Sequence, residues 1–218
     1  MIYIFDLDGT LIDSSGRHIE LLKRILFKNN IRGSSYEFLN RYLDYKASGY
    51  NTVSFLEKIL DLPYEQASVI AKEWIKHIED EELLLGDVLY PDTIDVLEKI
   101  MEDNMIFFVS CRRNKKYAVN ECKRLGIDRY AKEIFIIDPE KGANGKTDIF
   151  NYILQEYGNE QIIVGDTEVD YLAANRLNLK YYILNRGFRN KRFWDQKGVV
   201  SFSNLYGLLG DIDPDPSV

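Results

Sequence analysis

The apolar residues of this chain follow two periodicities that alternate along most of its length. Short apolar runs rich in Ile, Val, Phe and Tyr predict five buried strands, at residues 2–5, 105–109, 134–137, 162–164 and 181–184. Between the later runs, apolar residues recur at helical spacing. The predicted helix faces are Ile94, Leu97 and Met101; Ala118, Cys122 and Leu125; and Val169, Leu172 and Ala173. Strands that alternate with helices in this way predict an α/β fold, in which helices cover both faces of a parallel sheet.

The stretch from residue 14 to residue 85 interrupts this alternation because its apolar residues show helical spacing alone. Ile70, Trp74 and Ile78 form one of its apolar helix faces. The stretch ends near Gly86, where strands and helices begin to alternate again. We therefore predict two domains, a helical domain over residues 14–85 and an α/β core made of residues 1–13 and 86–218.

The charge balance limits which partners we expect. The 218 residues include 28 Lys and Arg against 35 Asp and Glu, a net charge of −7. This balance argues against a nucleic-acid binder held by phosphate contacts, which usually needs a basic surface, but it leaves room for a small anionic ligand. The longest charge-free run, residues 198–210, contains Ser, Asn and Gly, so we expect no membrane span and a cytoplasmic protein. The sequence gives no prediction of the oligomeric state.

The first candidate for chemistry is the acidic segment Asp6–Leu7–Asp8–Gly9–Thr10, at the end of the first predicted strand. Residues two apart in an extended chain point to the same side, so Asp6 and Asp8 are predicted to face one site while Leu7 turns away. Ligands of parallel α/β sheets bind beyond the carboxyl ends of the strands, where this pair lies. Two close carboxylates repel unless a cation neutralises them, so the pair suits metal binding or a division between nucleophile and acid/base.

A second acidic cluster follows the strand predicted at residues 162–164 and contains Asp166 and Asp170. Carboxylate oxygens suit a hard cation such as Mg²⁺, which prefers few carboxylates, several waters and substrate phosphate oxygens. If a helix begins near Thr167, Asp170 also falls in its first turn, where a negative charge is favourable. Helix capping and metal binding therefore stay open as alternatives, and the acidic pair at the first strand end favours the metal.

Two single residues complete the pattern. Ser110 follows the apolar run 105–109, and its hydroxyl can donate to a phosphate oxygen. Lys146 is predicted to precede a helix that begins at about Thr147. The glycines before Lys146 are similar to those of a P-loop, but their spacing is short by two residues and they do not follow the first strand. We reject the P-loop, and neither single residue indicates a function alone.

Taken in order, these four clusters resemble the motifs of the haloacid dehalogenase-like (HAD) superfamily. Asp6–Leu11 looks like its first motif, Ser110 its second, Lys146 its third and Gly165–Asp170 its fourth. The segment Asp13–His18, at the start of the insert, is similar to the corresponding segment in the branch of phosphoglycolate phosphatases and β-phosphoglucomutases. The resemblance implies a doubly wound, Rossmann-like core sheet, with the inserted helical domain as a cap. It also implies Mg²⁺-dependent hydrolysis of a phosphomonoester, so the expected partner is a small phosphorylated metabolite.

The resemblance implies a role for each motif residue. Asp6 would attack phosphorus to form an aspartyl-phosphate, and Asp8 would act as the acid and then the base. Ser110 would hydrogen-bond the transferring phosphoryl group, while Lys146 would offset its negative charge. The implied Mg²⁺ ligands are Asp6, the backbone carbonyl of Asp8 and Asp166, with Asp170 in support.

Residues from both predicted domains are candidate substrate contacts. They include Thr10 of the first motif, His18 at the start of the insert and Lys46 in a loop that could reach over the site. Arg112 and Arg113 belong to a basic run at the start of a helix, where cations are disfavoured. We hypothesise that one of them binds a second anionic group of the substrate, with solvent or surface carboxylates as the alternative.

Other functions stay open at this point. A sugar phosphomutase of the β-phosphoglucomutase type would use the same acidic pair. A non-catalytic phosphate-binding protein would not need the catalytic residue types, all of which are present. Dehalogenases usually lack the second Asp, which this chain has as Asp8. A phosphonate-cleaving enzyme would need a Schiff-base lysine in the insert, where Lys23, Lys28 and Lys46 lie. The sequence does not identify the substrate.

Overall fold

A six-stranded parallel sheet forms the centre of the protein. A computed structural model describes residues 1–31, 36–158 and 160–210. The strands are β1 (Ile2–Phe5), β2 (Ile12–Asp13), β3 (Val88–Leu89), β4 (Met105–Cys111), β5 (Glu133–Ile137), β6 (Gln161–Gly165), β7 (Lys180–Leu184) and β8 (Ser201–Phe202). The sheet has the order β5–β4–β1–β6–β7–β8, and its paired strands are all parallel. Because the chain extends the sheet from β1 first in one direction and then in the other, the predicted doubly wound α/β fold is confirmed.

All five predicted strands lie in this sheet, and the sequence pattern fails to predict three short ones. β8 lies within the charge-free run 198–210, and β2 pairs antiparallel with β3 outside the main sheet. Each of these strands has two residues, which are too few to show a periodicity.

The described part of the chain contains ten α-helices. They are α1 (Ser15–Lys28), α2 (Tyr36–Ala47), α3 (Thr52–Leu60), α4 (Tyr64–His77), α5 (Glu81–Leu84), α6 (Thr93–Met101), α7 (Lys115–Arg124), α8 (Gly142–Tyr157), α9 (Glu168–Arg176) and α10 (Lys191–Asp195). Two 3₁₀ turns lie at Asp128–Tyr130 and Tyr206–Leu209. Within those described residues, we find no helix with the length and apolar character needed to cross a membrane.

The two faces of the sheet bury different side chains, as the alternation along its strands requires. Phe5 and Phe108 pack on the face covered by α6 and α7. Ile4 and Phe107 pack on the opposite face, against α8 and α9. This arrangement places the carboxyl ends of β4, β1 and β6 side by side at one edge of the sheet.

The helices between residues 15 and 84 have a hydrophobic cluster of their own. Leu22, Tyr42 and Phe55 are fully buried in it. The strands β2 and β3 flank this part of the chain and pair with each other, so the two connections to the core run side by side. The boundaries of the helical domain at residues 14 and 85 stay a prediction, and residues 211–218 of the predicted core lie outside the described residues.

Two helix faces differ from the sequence pattern. Met101 is exposed, because α6 turns Val96, Leu97 and Ile100 toward the sheet, a face displaced by one residue from the predicted one. Leu172 is also exposed, since α9 packs through its small alanines. Both differences concern which side of a helix is buried, and neither moves the residues of the predicted site.

Candidate active site

The carboxyl ends of three adjacent strands bring predicted site residues together. Asp6 directly follows β1, Asp166 directly follows β6, and Ser110 lies near the end of β4. These strands are neighbours in the sheet, so the three side chains meet at one edge. Asp6, Asp8, Ser110 and Lys146 line one cavity of about 270 Å³. The segments that carry these four residues therefore converge in the structure.

Three buried carboxylates at this edge form a candidate metal site. One oxygen each of Asp6, Asp166 and Asp170 lies within 4.8 Å of the others. Burial, together with the charges of Asp6 and Asp170, raises the pKa of Asp166 well above its usual value. Burial also raises the pKa of Asp6, to about 6. Because clustered buried carboxylates are stabilised by a hard cation, the donor set fits Mg²⁺. The side chain of Asp8 is not part of this cluster.

The position of Asp170 is compatible with both alternatives that the sequence left open. It lies in the first turn of α9, where it forms a capping box with Thr167. The Thr167 hydroxyl donates to one Asp170 oxygen at 2.8 Å, and the Thr167 backbone N–H donates to the same oxygen at 3.2 Å. The other oxygen contacts Lys146. Helix capping thus fixes Asp170 beside the carboxylate cluster instead of competing with a place in it.

Lys146 lies inside α8, contrary to the prediction that it precedes a helix beginning at Thr147. The helix begins at Gly142, and the glycines that suggest a loop in the sequence form its first turn. Lys146 Nζ lies 3.0 Å from Asp6 Oδ1 and also contacts Asp170. Burial opposes its charge, but these two carboxylates raise the pKa of Lys146 above its usual value. Lys146 is therefore a fixed positive charge beside Asp6.

Asp8 faces the cavity while Leu7 is buried in the core, as predicted. Arg112 donates to both Asp8 oxygens, from Nε at 2.6 Å and from Nη2 at 2.9 Å. Arg17 of α1 also contacts Asp8. Burial favours the neutral acid, but the two guanidinium groups hold the pKa of Asp8 below its usual value. Two cations therefore clamp Asp8 in its ionised form.

Two further carboxylates lie behind these arginines, and the sequence-based reasoning missed them. Asp87 lies 3.1 Å from Arg17, and Glu121 lies 2.8 Å from Arg112. Burial and the nearby Glu121 raise the pKa of Asp87 to about 8. No motif includes Asp87 or Glu121, so only their predicted burial on a helix or at a domain exit could have indicated them.

Gly9 and Thr10 bring the first motif against Asp166. Gly9 has a φ of +76°, and a Cβ at this position would lie 2.2 Å from Asp166 Oδ2, so a side chain there is excluded twice. Thr10 is fully buried, and its hydroxyl donates to Asp166 at 3.4 Å. Thr10 does not line the cavity, so its position suits support of Asp166 better than the substrate contact that the sequence suggested.

His18 and Lys46, the two candidates in the insert, lie together. His18 is buried, with its ring stacked on Phe188 and its edge against Trp74. Lys46 Nζ lies 3.3 Å from His18 Nδ1 and 4.5 Å from the centre of the Trp74 ring. Burial and the nearby Arg189 lower the pKa of Lys46 to about 7, and burial and Lys46 lower that of His18 well below its usual value. His18 lines the cavity and Lys46 does not. Lys46 lies in the last turn of α2, because the helix extends to Ala47, and not in the loop that the sequence predicted.

The segment 186–190 after β7 contributes contacts that no motif predicts. The Phe188 backbone N–H donates to Asp166 Oδ2 at 2.5 Å. Arg189 donates twice to Glu168 at 2.6 Å and also to the backbone carbonyl of Lys46 at 3.1 Å. This segment therefore links the fourth motif to the insert.

Arg112 and Arg113 differ in their surroundings. Arg112 is buried and paired with Asp8 and Glu121. The Arg113 side chain is exposed, and its Nη1 lies 4.0 Å from Glu79. Both residues line the cavity. Protein carboxylates, one of the alternatives left open by the sequence, thus lie near both arginines.

Comparison with known proteins gives consistent matches. Residues 3–184 match the family model described as haloacid dehalogenase-like hydrolase. A phosphoglycolate phosphatase of Agrobacterium fabrum is 27% identical over 177 residues, which are 78% of this chain and 74% of that protein. A haloacid dehalogenase-like hydrolase of Streptococcus pneumoniae, SP0104, has a TM-score of 0.73 at 20% identity, with 96% of each chain covered. A candidate β-phosphoglucomutase of Thermotoga maritima has a TM-score of 0.64 at 17% identity, covering 97% of this chain and 99% of its own.

The two structural matches are below 25% identity, so they support the fold alone. The family model, in contrast, spans all four motifs and the insert. The chain therefore belongs to the haloacid dehalogenase-like hydrolase family, as the resemblance implied.

Proposed function

We propose that this enzyme is a Mg²⁺-dependent phosphatase that hydrolyses a small phosphomonoester through an aspartyl-phosphate on Asp6. One observation carries the proposal: Asp6 and Asp8 share a cavity with Ser110 and Lys146, beside a cluster of buried carboxylates. Family membership supports hydrolysis, and the name of the Agrobacterium relative supports a phosphomonoester substrate.

Asp6 is the proposed nucleophile. Its carboxylate oxygen attacks phosphorus, the bond from phosphorus to the leaving-group oxygen breaks, and water then attacks phosphorus to restore the free carboxylate and release phosphate. Lys146, 3.0 Å away, favours the ionised form of Asp6 and offsets charge on the transferring group. Ser110, buried at the end of β4, donates a hydrogen bond to a phosphoryl oxygen.

Asp8 is the proposed acid and base. It protonates the leaving oxygen in the first step and accepts a proton from the attacking water in the second. Its ion pairs with Arg112 and Arg17 favour the ionised form, which the second step needs. Protonation for the first step therefore requires these two contacts to loosen when substrate binds.

Asp6, Asp166 and the backbone carbonyl of Asp8 are the proposed Mg²⁺ ligands, with Asp170 in support. When bound, the cation would neutralise the clustered carboxylates and part of the phosphate charge. The chain's own contribution is to hold these oxygens in place, through the capping box of Asp170 and the Phe188 N–H donor to Asp166.

Residues 14–85 are proposed to form a cap that shields the cavity from water and selects the leaving group. His18 and Trp74 support this role because both line the cavity from the insert. Lys46 contacts His18, and we propose that it influences the substrate through that ring, which lines the cavity. The proposed substrate is a small phosphorylated metabolite, and the cytoplasmic location stays a prediction.

The test is phosphate release from a panel of phosphorylated metabolites with Mg²⁺. We expect turnover by the wild-type enzyme and none by Asp6→Asn, whose carboxamide is nearly the same size but cannot form the acyl phosphate. Asp103→Asn, at an exposed position, is the matched control. EDTA is expected to stop the reaction and added Mg²⁺ to restore it.

Free phosphate distinguishes this proposal from its alternatives. A sugar phosphomutase would return the phosphoryl group to its substrate, and a phosphate-binding protein would turn nothing over. Turnover by a folded Asp6→Asn protein, or full activity in EDTA, would contradict the mechanism.

A further inference from the structure

A carboxylate of the insert, Glu79, forms part of the cavity wall and has no role in the proposed mechanism. Glu79 lies between α4 and α5, and it lines the cavity that also contains Asp6 and Asp8. Its side chain is 13% exposed. A charge in this position faces whatever occupies the cavity beyond the phosphate.

Backbone donors of the core hold the Glu79 carboxylate in place. The Arg113 N–H donates to its two oxygens at 3.1 and 2.9 Å, and the Asn114 N–H donates to one of them at 2.9 Å. These N–H groups lie at the start of α7, where the partial positive charge of the helix favours an anion. Because main-chain groups position Glu79, its negative charge is a fixed feature of the wall.

The cations that line the cavity, among the described residues, are all near protein carboxylates. The neighbours are Asp8 and Asp87 for Arg17, Asp8 and Glu121 for Arg112, Glu79 for Arg113, and Asp6 and Asp170 for Lys146. A second negative group on a substrate would therefore compete with protein carboxylates for each of these charges. It would also be repelled by Glu79.

The apolar part of the cavity wall favours uncharged groups. Trp74, Ile78, Pro139, Val169 and Phe188 contribute apolar surface to the cavity. Apolar walls give no hydrogen bonds to replace the hydration of a buried anion, so a second charge would be desolvated without compensation.

We propose that Glu79 is a specificity-determining residue that disfavours leaving groups with a second negative charge. The preferred substrates are then phosphomonoesters whose leaving group is uncharged or cationic, and phosphoglycolate, which has a carboxylate, is disfavoured. This inference rests on the proposed phosphatase function. It is the opposite of the hypothesis that Arg112 or Arg113 binds a second substrate anion.

The experiment compares two substrates of nearly equal size, phosphoglycolate and 2-hydroxyethyl phosphate, by their kcat/KM values. We expect Glu79→Gln to raise the ratio of phosphoglycolate to 2-hydroxyethyl phosphate about tenfold, the effect of one unit charge about 10 Å away at an effective dielectric constant of about 20. Glu79→Asp keeps the charge and is expected to keep the wild-type ratio. Glu81→Gln removes an equal charge from an exposed neighbouring position and serves as the control.

The outcomes separate this inference from the proposed function. An active Glu79→Gln enzyme with an unchanged ratio overturns the inference and leaves the phosphatase standing. Equal losses on both substrates also overturn it, since Glu79 would then only join the insert to the core. If the wild-type protein releases phosphate from neither compound, binding is titrated in the Asp6→Asn background. In that background, Glu79→Gln must increase the affinity for phosphoglycolate relative to the affinity for 2-hydroxyethyl phosphate. If neither compound binds, both proposals are overturned.

Discussion

Replacing Lys146 with methionine tests the electrostatic account of the site most directly. Lys146 is buried, with 1% of its side chain exposed, and it contacts Asp6 and Asp170. Methionine keeps a flexible apolar chain of similar length, so little packing is lost. The substitution therefore removes the one buried cation that faces the carboxylate cluster in the described residues, and it leaves Asp6, Asp166 and Asp170 without compensation.

The expected loss of stability follows from the geometry. A unit charge 3.0 Å from Asp6 contributes an attraction of about 5 kcal/mol at an effective dielectric constant of about 20. Desolvation of Lys146 offsets part of this, and breaking a buried ion pair by removing one partner typically costs about 3–5 kcal/mol. We expect Lys146→Met to lower the free energy of unfolding by about 3 kcal/mol at neutral pH without metal, a figure at the lower end of that range.

Urea unfolding in EDTA measures this loss, with Lys141→Met at an exposed position as the control. Mg²⁺ is expected to reduce the loss, because a cation bound at the carboxylates replaces the missing charge. Acid is also expected to reduce it, since the pKa values of Asp6 and Asp166 are raised in the folded state and these groups take up protons as the pH falls. A loss below about 1 kcal/mol, typical of an exposed pair, or a loss that neither Mg²⁺ nor acid reduces, would refute this reasoning.

Three other predictions follow from the buried charges and the first turn. Because the pKa of Asp87 is raised to about 8, the folded state holds an extra proton between about pH 4 and pH 8. As the pH rises through this window, the unfolding free energy of the wild type is expected to fall relative to that of Asp87→Asn. Urea titrations are expected to show a fall of up to about 1.4 kcal/mol per pH unit. Gly9→Ala is expected to destabilise more than Gly198→Ala, since both have positive φ but only Gly9 faces Asp166; equal losses in thermal unfolding would contradict this. Mg²⁺ affinity measured calorimetrically is expected to rise with pH, because binding displaces protons from Asp6 and Asp166.

The sequence was sufficient for the fold and for the convergence of the motifs because both depend on local patterns. Apolar runs long enough to show a period predicted all five long strands, and the parallel arrangement then placed Asp6, Ser110 and Asp166 at one edge. The predicted start of α8 was wrong because its glycines indicate a loop by local propensity. In the structure, Gly145 lies within the helix, where the close approach of Ile137 and Lys141 leaves no room for a Cβ.

The contacts that distinguish this site from a list of motifs could not be predicted in the same way. Arg17 with Asp87 and Arg112 with Glu121 are pairs of residues far apart in the sequence, brought together by the packing of the insert on the core. Glu79 is one of 35 acidic residues, and nothing in its local sequence separates it from an exposed one. Long-range pairing of this kind depends on the tertiary arrangement, which local sequence patterns do not reveal.

The balance of buried charge connects these contacts to the metal. The linked carboxylates are Asp6, Asp8, Asp87, Glu121, Asp166 and Asp170, and the buried cations are Arg17, Arg112 and Lys146. Six carboxylates against three buried cations leave an excess of negative charge, and partly exposed Arg124, 3.9 Å from Glu121, offsets part of it. A buried site does not tolerate the rest without compensation. A proton on Asp87, whose pKa is raised to about 8, offsets one further charge, and the proposed divalent cation at the carboxylate cluster would offset the remainder. With that proton and the proposed cation in place, the arginines would have no unmatched charge for a second anion on the substrate.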